Sequence, residues 1–178
     1  MNPIFYPDIN KEKNRYLEHK NDIYDERYQA FVRPLVDLIM SENENNSSGL
    51  DFGSGTGPVA SYLLSKEGHK MSLFDIFFQN DPEVLEIKYD FILSCEVIEH
   101  FTSPSSEFEM LKKCMKPGAR LYLNTHMIPS EVDLNNWYYA KDPTHIFFYR
   151  PQTFEYIKKT YGFSRVRVIS ERIIVLDN

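Results

Sequence analysis

Several residue types that would mark a particular class of protein are scarce in this chain of 178 residues. It has only two cysteines, Cys95 and Cys114, and neither has neighbours at the spacing of a metal-binding motif. Isolated thiols of this kind are typical of a reducing compartment. We therefore expect reduced thiols, no metal and a cytoplasmic location.

Long apolar runs and clusters of positive charge are also missing. No run approaches the roughly 18 residues that a membrane span needs, and residues 1–16 mix both charge signs without the apolar stretch of a signal peptide. The formal net charge is −6, so the electrostatic attraction that dominates nucleic-acid binding is absent. We expect a soluble protein without a membrane span or a nucleic-acid partner; the oligomeric state stays open.

The length suits one domain, which buries about 70% of the surface that its unfolded chain exposes. Apolar residues recur at helical spacing from Tyr28 to Met40, which predicts a leading helix. A polar stretch then precedes a short apolar strand that ends near Phe52. We accordingly divide a single domain, 1–178, into an N-terminal helical segment over 1–46 and a core over 47–178.

Strands and helices alternate through the core. Apolar patterns predict strands over 70–78, 89–98 and 119–126, helices over 58–68, 103–115 and 151–163, and a terminal hairpin. This alternation predicts an α/β domain with a mostly parallel sheet. Only fourteen residues separate Asp75 from Asp90, too few for a helix, a strand and two loops, so we expect a shortened third-strand region.

Three alternate glycines, Gly53, Gly55 and Gly57, follow the first strand and precede a helix. In an open parallel sheet, ligands meet a glycine-rich turn and helix N–H groups at this place. Pro58 occupies the position of the third glycine in the dinucleotide fingerprint G-x-G-x-x-G. NAD binding is therefore disfavoured, although an ordinary turn between strand and helix also fits the pattern.

The run 51–57, DFGSGTG, resembles the first motif of the class I methyltransferases that use S-adenosylmethionine (SAM). The resemblance implies a Rossmann-like three-layer sandwich with an antiparallel C-terminal hairpin. It also implies that the methionine part of SAM lies against Gly53, Ser54 and Gly55, since small residues let backbone groups reach its carboxylate. Asp51 then helps to hold the loop and the amino group.

Asp75 ends the second strand, about twenty residues beyond the glycines. A carboxylate there can accept hydrogen bonds from both ribose hydroxyls of the cofactor, although an aspartate that caps the next turn also fits. The adjacent Ile76 and Phe77 are then cofactor-binding residues too. Because the next unit is shortened, Phe77 or Phe78 is a candidate to stack on adenine. Asp81 and Glu83 are the candidates to replace the acidic residue that relatives carry next to the adenine.

The sequence YDFILSCEVIEHF resembles the fourth strand of the same family and the turn beyond it. The resemblance places Cys95, Glu96 and Val97 beside the cofactor and Glu99 and His100 near the pocket. The alternative is that the last two residues only stabilise the start of the following helix.

The segment between the fifth strand and the last helix is rich in aromatic residues and is predicted to form a substrate wall or lid. Its part 142–154, DPTHIFFYRPQTF, resembles the same stretch in methyltransferases of quinones and other small molecules. Its aromatic residues either bind a flat acceptor and the sulfonium, or simply pack. The aromatic candidates are Trp137, Tyr138, Tyr139 and Tyr149. From the leading segment, expected to fold over the cofactor, the candidates are Tyr16, His19 and Tyr28.

Methyl transfer from a sulfonium is an in-line displacement that needs alignment and exclusion of water, and no metal is required. For a hydroxyl acceptor a general base helps, and histidine, with a pKa of about 6.5, is suited to that task. His145 is the first candidate, followed by His126 and His100, although each also fits a structural role.

We therefore predict transfer of a methyl group from SAM to a small-molecule acceptor, at oxygen, nitrogen or carbon, with S-adenosylhomocysteine (SAH) as the product. Three alternatives remain open on the sequence alone. They are an NAD-type oxidoreductase, a module that holds SAM without catalysis, and an enzyme that methylates proteins.

Overall fold

The computed structural model describes Tyr6, residues 8–18 and residues 22–178. Its elements are α1 (Ile9–Glu18), α2 (Glu26–Glu42), β1 (Ser48–Phe52), α3 (Val59–Lys66), β2 (Lys70–Phe74), β3 (Tyr89–Cys95), α4 (Pro104–Lys113), β4 (Met115–Asn124), α5 (Pro151–Tyr161), β5 (Arg165–Val168) and β6 (Ile173–Asp177). Short 3-10 turns cover Pro82–Glu86, Ile98–His100 and Tyr138–Lys141. None of the helices in the described ranges is both long and apolar enough to cross a membrane.

The strands in the described part of the chain form one sheet of six, in the order β2-β1-β3-β4-β6-β5. The first four are parallel to one another, whereas β6 runs antiparallel to both β4 and β5. The predicted mostly parallel sheet with an antiparallel C-terminal hairpin is thus confirmed. Since parallel strands end at one edge, the residues that follow β1, β2 and β3 lie side by side.

The shortened region after the second strand is confirmed as well. β2 ends at Phe74, earlier than predicted, because the Asp75 carboxylate accepts hydrogen bonds from the backbone N–H groups of Phe77 and Phe78 and closes a turn. A bridge between Asp75 and Gln79 and the 3-10 turn then lead directly into β3. This edge of the sheet is therefore bordered by a turn instead of a further strand and helix.

Apolar side chains cover both faces of the sheet, which makes the domain a three-layer sandwich. On β3 the side chains alternate: Phe91 and Leu93 contact the layer of α2 and α3, whereas Ile92 faces the layer of α4 and α5. The helical spacing read between Tyr28 and Met40 is confirmed in α2, where Val32, Leu35, Val36 and Ile39 are buried. α1 is an additional helix within the predicted N-terminal helical segment.

A partly buried ion-pair network joins the end of α2 to the far edge of the sheet. The Glu42 carboxylate accepts from the Arg167 guanidinium at 2.5 and 2.7 Å and from the Tyr122 hydroxyl at 2.9 Å. Hydrogen bonds from Arg167 are the main reason that the pKa of Glu42 is lowered. Because both side chains are about one-fifth exposed, the pair is shielded enough to contribute to stability.

We expect Glu42→Gln to lower the free energy of unfolding by about 2 kcal/mol, since it removes the closer of the two carboxylates that the partly buried Arg167 contacts and leaves only Asp177, at 3.4 Å. Urea unfolding measures the change. The control is Asp37→Asn, whose partner Arg33 lies 3.8 Å away on the surface; we expect a loss below about 0.5 kcal/mol. Equal losses in the two variants would contradict this assignment.

Candidate active site

A cavity of about 720 Å³ opens at the edge where β1, β2 and β3 end. This volume lies within the range of about 300–1,000 Å³ that is usual for sites of small ligands. Its wall includes the glycine loop 53–56, the turn 74–78, residues 95–97 and 100–102, and parts of α1, α2 and the segment after β4. The residues predicted to bind a cofactor are therefore largely gathered around one space.

The glycine loop is tied to the end of the neighbouring strand. The backbone N–H groups of Gly53 and Ser54 donate to the carbonyl oxygen of Phe74 at 2.8 and 3.1 Å. Gly53 has a φ of +82°, and an added Cβ there would lie 2.4 Å from the Val97 side chain. Gly55 also has a positive φ, +62°, but a Cβ there would meet nothing within 4 Å. Position 53 thus needs glycine for its conformation and for its close contact.

Asp75 links the turn after β2 to the glycine loop. Its Oδ2 accepts from the Gly55 N–H at 2.9 Å, while its Oδ1 accepts from Phe77 and Phe78 at 2.8 and 3.1 Å. The carboxylate lines the cavity together with Ile76 and Phe77. Asp75 therefore caps the turn that follows it. Since each carboxylate oxygen can accept more than one hydrogen bond, this role is compatible with the ribose contact, which stays a prediction.

Asp51 lies behind the glycine loop and is not among the described residues that line the cavity. Its Oδ2 accepts from the Ser61 hydroxyl at 2.7 Å, which fastens α3 to β1. Burial raises the pKa of Asp51 to about 6. In this structure Asp51 joins β1 to α3, the two elements that flank the glycine loop. Its contact with the SAM amino group stays a prediction.

Residues 95–97, predicted to lie beside the cofactor, form the cavity wall at the end of β3. Glu96 adopts a φ of 54°, and its Oε1 is 3.1 Å from the Arg172 guanidinium. Burial raises the pKa of Glu96, and the Arg172 charge opposes that shift. Burial also raises the pKa of the Cys95 thiol. A neutral thiol at this position offers a packing surface and no reactive thiolate.

Glu99 follows in the 3-10 turn and is fully buried. Its Oε1 accepts a short hydrogen bond from the Tyr139 hydroxyl, and its Oε2 has no hydrogen-bond partner among the described residues. Its backbone carbonyl accepts from the N–H groups of Ile146 and Phe147 at 2.9 and 3.0 Å. Burial, and then the nearby Glu96, raise the pKa of Glu99. Glu99 therefore fastens the aromatic segment to the end of β3.

Two of the three candidate histidines come together at the cavity. The rings of His100 and His145 both line it, with centroids 4.7 Å apart. Nδ1 of His100 lies 2.9 Å from the carbonyl oxygen of Thr144, and Nδ1 of His145 lies 2.7 Å from that of Tyr139. The backbone thus fixes the orientation of both rings. Their catalytic roles stay predictions.

His126 lies apart from this pair and is not among the described residues of the cavity wall. Its ring contacts Trp137, and its Nδ1 is 2.9 Å from the Tyr138 hydroxyl and 3.3 Å from the Arg172 guanidinium. Burial, followed by the Arg172 charge, lowers the pKa of His126. Its predicted role as a base therefore has no support from the geometry.

Of the four aromatic candidates in the segment after β4, two line the cavity and two are buried in the protein interior. Tyr138 and Tyr139 line the cavity. Trp137 and Tyr149 are buried elsewhere: the Tyr149 ring stacks on Phe154 at 5.4 Å, and its hydroxyl donates to the Ile98 carbonyl at 2.8 Å. For these two residues packing is the role that the structure supports.

Residues of α1 and α2 complete the cavity wall and include two of the three candidates from the N-terminal segment. The Tyr16 ring lies 5.7 Å from that of Phe77 and 5.3 Å from that of His100, and Tyr28 of α2 lines the cavity as well. The Arg15 guanidinium contacts Asp142 at 3.1 Å, which holds α1 against the aromatic segment. The third candidate of this segment, His19, lies outside the described residues.

Comparison with known proteins gives a family for this arrangement. A family model described as a methyltransferase domain matches residues 24–168. Among curated proteins, a ubiquinone biosynthesis O-methyltransferase of Dechloromonas aromatica (strain RCB) is 26% identical over 91 residues, which are 51% of this chain and 39% of that protein. The chain thus matches less than half the length of that relative.

Solved structures share the fold at low sequence identity. A 1,6-didemethyltoxoflavin-N1-methyltransferase of Burkholderia thailandensis, with 1,6-didemethyltoxoflavin and SAH bound, has a TM-score of 0.68 at 11% identity, over 94% of this chain and 84% of that one. A SAM-dependent methyltransferase of Archaeoglobus fulgidus has a TM-score of 0.62 at 20% identity, over 86% and 94%. The predicted Rossmann-like fold of class I methyltransferases is thereby confirmed.

The glycine loop yields a matched pair of variants. Gly53→Ala and Gly55→Ala each place a side chain in a left-handed conformation, at a cost of about 1 kcal/mol. Only Gly53→Ala also forces a methyl group onto Val97, and we expect a further loss of about 1–3 kcal/mol in the free energy of unfolding. In urea unfolding, Val97→Ala should restore part of that loss. Identical losses for the two glycine variants would show that the contact is unimportant.

Asp51 yields a pH dependence. Its pKa of about 6 in the folded protein exceeds the ordinary value of 3.8, so its contribution to stability is full below about pH 4 and is lost as the pH rises through about 6. Asp51→Asn does not titrate. We expect the stability of this variant relative to the parent to rise by up to about 3 kcal/mol between pH 4 and pH 7 in urea unfolding. A difference that stays constant with pH would contradict the raised pKa.

Proposed function

The chain belongs to the family of methyltransferase domains, and from this premise we propose that it transfers a methyl group from SAM to a small-molecule acceptor and releases SAH. The family model spans residues 24–168, which include every wall of the cavity except α1. The observation that carries the proposal is the convergence of the glycine loop, Asp75 and residues 95–97 on one cavity at the carboxyl edge of the sheet.

We assign each part of SAM to the residues of the cavity wall whose chemistry suits it. The methionine part lies against Gly53, Ser54 and Gly55, where the backbone is open to close approach. The Asp75 carboxylate accepts from the ribose hydroxyls, since Asp75 lines the cavity and its Oδ2 lies beside the glycine loop at the Gly55 N–H. Adenine lies at the turn after β2 against Phe77, where the shortened region leaves an aromatic wall.

The acceptor occupies the remainder of the cavity, between the 3-10 turn after β3 and the aromatic segment. Its wall there is formed by His100, Tyr138, Tyr139 and His145, which suits a flat or apolar molecule with a polar reacting atom. An electron pair of that atom forms a bond to the methyl carbon while the carbon–sulfur bond breaks, so that the sulfonium becomes the neutral thioether of SAH. A proton of a hydroxyl or amine acceptor leaves toward the two histidines.

The covering helix α1 has a part in this scheme. In-line transfer depends on the alignment of nucleophile, methyl carbon and sulfur and on the exclusion of water. Tyr16 and Arg15 close the cavity from above, through the ring contact with Phe77 and the ion pair with Asp142. We infer that α1 excludes water from the reacting atoms.

We also propose a cytoplasmic location and no nucleic-acid partner. Both cysteines, Cys95 and Cys114, are free thiols, which suits a reducing compartment. The net charge of −6 without a basic cluster disfavours a phosphate backbone as partner.

The cofactor assignment is tested by calorimetric titration of the protein with SAH and, separately, with NAD. We expect saturable binding of SAH and none of NAD. Asp75→Asn should weaken SAH binding by about tenfold to a hundredfold, because hydrogen bonds to a charged acceptor are worth about 1.5–3 kcal/mol. The control Asp37→Asn, which removes an exposed charge of α2 outside the cavity wall, should leave the affinity unchanged.

Failure of the folded protein to bind SAH would overturn the proposal, and binding of NAD alone would favour an oxidoreductase. Release of SAH from SAM is then measured with hydroxyl, amine and carbon acceptors of small size. Binding of SAH without turnover on any acceptor class would favour a module that holds SAM without catalysis.

A further inference from the structure

Three side chains with metal-binding atoms meet at the cavity wall, where two of them line the cavity and the third is buried behind them. Glu99 and His100 belong to the 3-10 turn after β3, and His145 belongs to the aromatic segment. One ligand atom from each residue lies within 4.8 Å of those of the other two. Glu99 is fully buried, whereas the two rings are half-buried and face the cavity. The group therefore has an enclosed side and an open side.

Backbone carbonyl groups set the orientation of both rings. Since a carbonyl oxygen only accepts, Nδ1 of His100 donates to Thr144 and Nδ1 of His145 donates to Tyr139, at 2.9 and 2.7 Å. In a neutral ring with this hydrogen bond, Nε2 is the nitrogen whose lone pair a metal ion can bind. Histidine ligands of metal ions are held in the same manner, by a hydrogen bond from the other ring nitrogen to a carbonyl or carboxylate.

The carboxylate of Glu99 supplies an independent indication of a cation. Tyr139 satisfies one oxygen through its hydroxyl, while Oε2 is buried and has no hydrogen-bond partner within bonding distance among the described residues. The nearby Thr125 hydroxyl, which opposes the rise in the pKa of Glu99, lies 3.2 Å from the Tyr139 hydroxyl. The nearby arginines are engaged with other carboxylates, Arg172 with Glu96 and Arg15 with Asp142. A buried carboxylate oxygen without a donor is costly, and a bound metal ion would offset that cost by coordinating the oxygen.

We propose that Glu99, His100 and His145 bind one divalent transition-metal ion, with Zn²⁺ as the ion that fits the donor set best. Two imidazole nitrogens and one carboxylate oxygen are the ligands of a known class of catalytic zinc sites, which keep a further position open. Mg²⁺ and Ca²⁺ favour sites made of oxygen ligands. Ligand atoms on a tetrahedral zinc ion lie about 3.4 Å apart, given bonds of about 2.0–2.1 Å, so modest side-chain movements complete the site.

The open position faces the part of the cavity assigned to the acceptor. An ion there would coordinate a hydroxyl of the acceptor and lower its pKa, so that the hydroxyl would lose its proton to solvent before the transfer and its oxygen would become a better nucleophile. In this scheme His145 and His100 are ligands and do not act as the general bases predicted from the sequence, because a hydroxyl with a lowered pKa needs no histidine to take its proton. The binding of the ion stands alone, whereas its action on the acceptor rests on the proposed methyl transfer.

The test uses the full chain, freed of metal with a chelator and titrated with Zn²⁺ alone in a calorimeter. We expect one ion per chain. Glu99→Gln retains an acceptor for Tyr139 and should weaken Zn²⁺ binding about a hundredfold or more, as should His145→Asn, because even supporting residues around a metal change affinity by about 10–100-fold. His126→Asn, which removes a histidine outside the group, should leave the affinity unchanged.

Co²⁺ in place of Zn²⁺ gives a second readout on the unaltered protein, namely visible absorption bands that both ligand variants lose. Circular dichroism verifies that the variants fold. Lack of saturable Zn²⁺ binding by the parent protein would overturn the site, as would binding that both ligand variants retain. SAH titration of the metal-free protein distinguishes the two proposals. Binding of SAH without binding of Zn²⁺ would contradict only the metal site. Binding of Zn²⁺ without binding of SAH would contradict only the proposed methyl transfer.

Discussion

The contact between Gly53 and Val97 is the constraint on which the site depends. A Cβ at position 53 would lie 2.4 Å from the valine, so the loop after β1 can rest on the residues after β3 only because glycine is present. The same loop is also held by β2, because two of its N–H groups donate to the carbonyl oxygen of Phe74. The ends of three parallel strands are thereby fixed relative to one another, and the cavity is the space that they leave.

Polar contacts connect Val97 and the turn after it to the aromatic segment and to α1. Val97 is followed by the 3-10 turn that carries Glu99, and the backbone carbonyl of Glu99 receives two N–H groups of the aromatic segment. That segment in turn holds α1 through the ion pair of Asp142 with Arg15. Since buried polar groups are costly unless paired, this series of contacts fixes the position of a long connection, whose one 3-10 turn is Tyr138–Lys141, as a wall of the cavity.

Much of this arrangement follows from local patterns in the sequence. The apolar periodicity predicts the strands and helices, the alternate glycines predict the loop, and the short interval from Asp75 to Asp90 predicts the missing unit. What the sequence does not disclose are pairs of residues far apart in the chain. The hydrogen bond between Glu99 and Tyr139 spans 40 residues, and the contact of Arg15 with Asp142 spans 127. Such pairs leave no periodic signal, so the burial of Glu99 and the grouping of His100 with His145, but not with His126, emerge only in three dimensions.

The central claim is that one cavity at the carboxyl edge of the sheet holds both SAM and its acceptor. It is tested most directly by a crystal structure of the protein with SAH bound. We expect homocysteine against the glycine loop, ribose hydroxyls on the Asp75 carboxylate, and the sulfur directed at the space beside His100 and His145. SAH bound outside this cavity, or within it with the ribose away from Asp75, would contradict the claim.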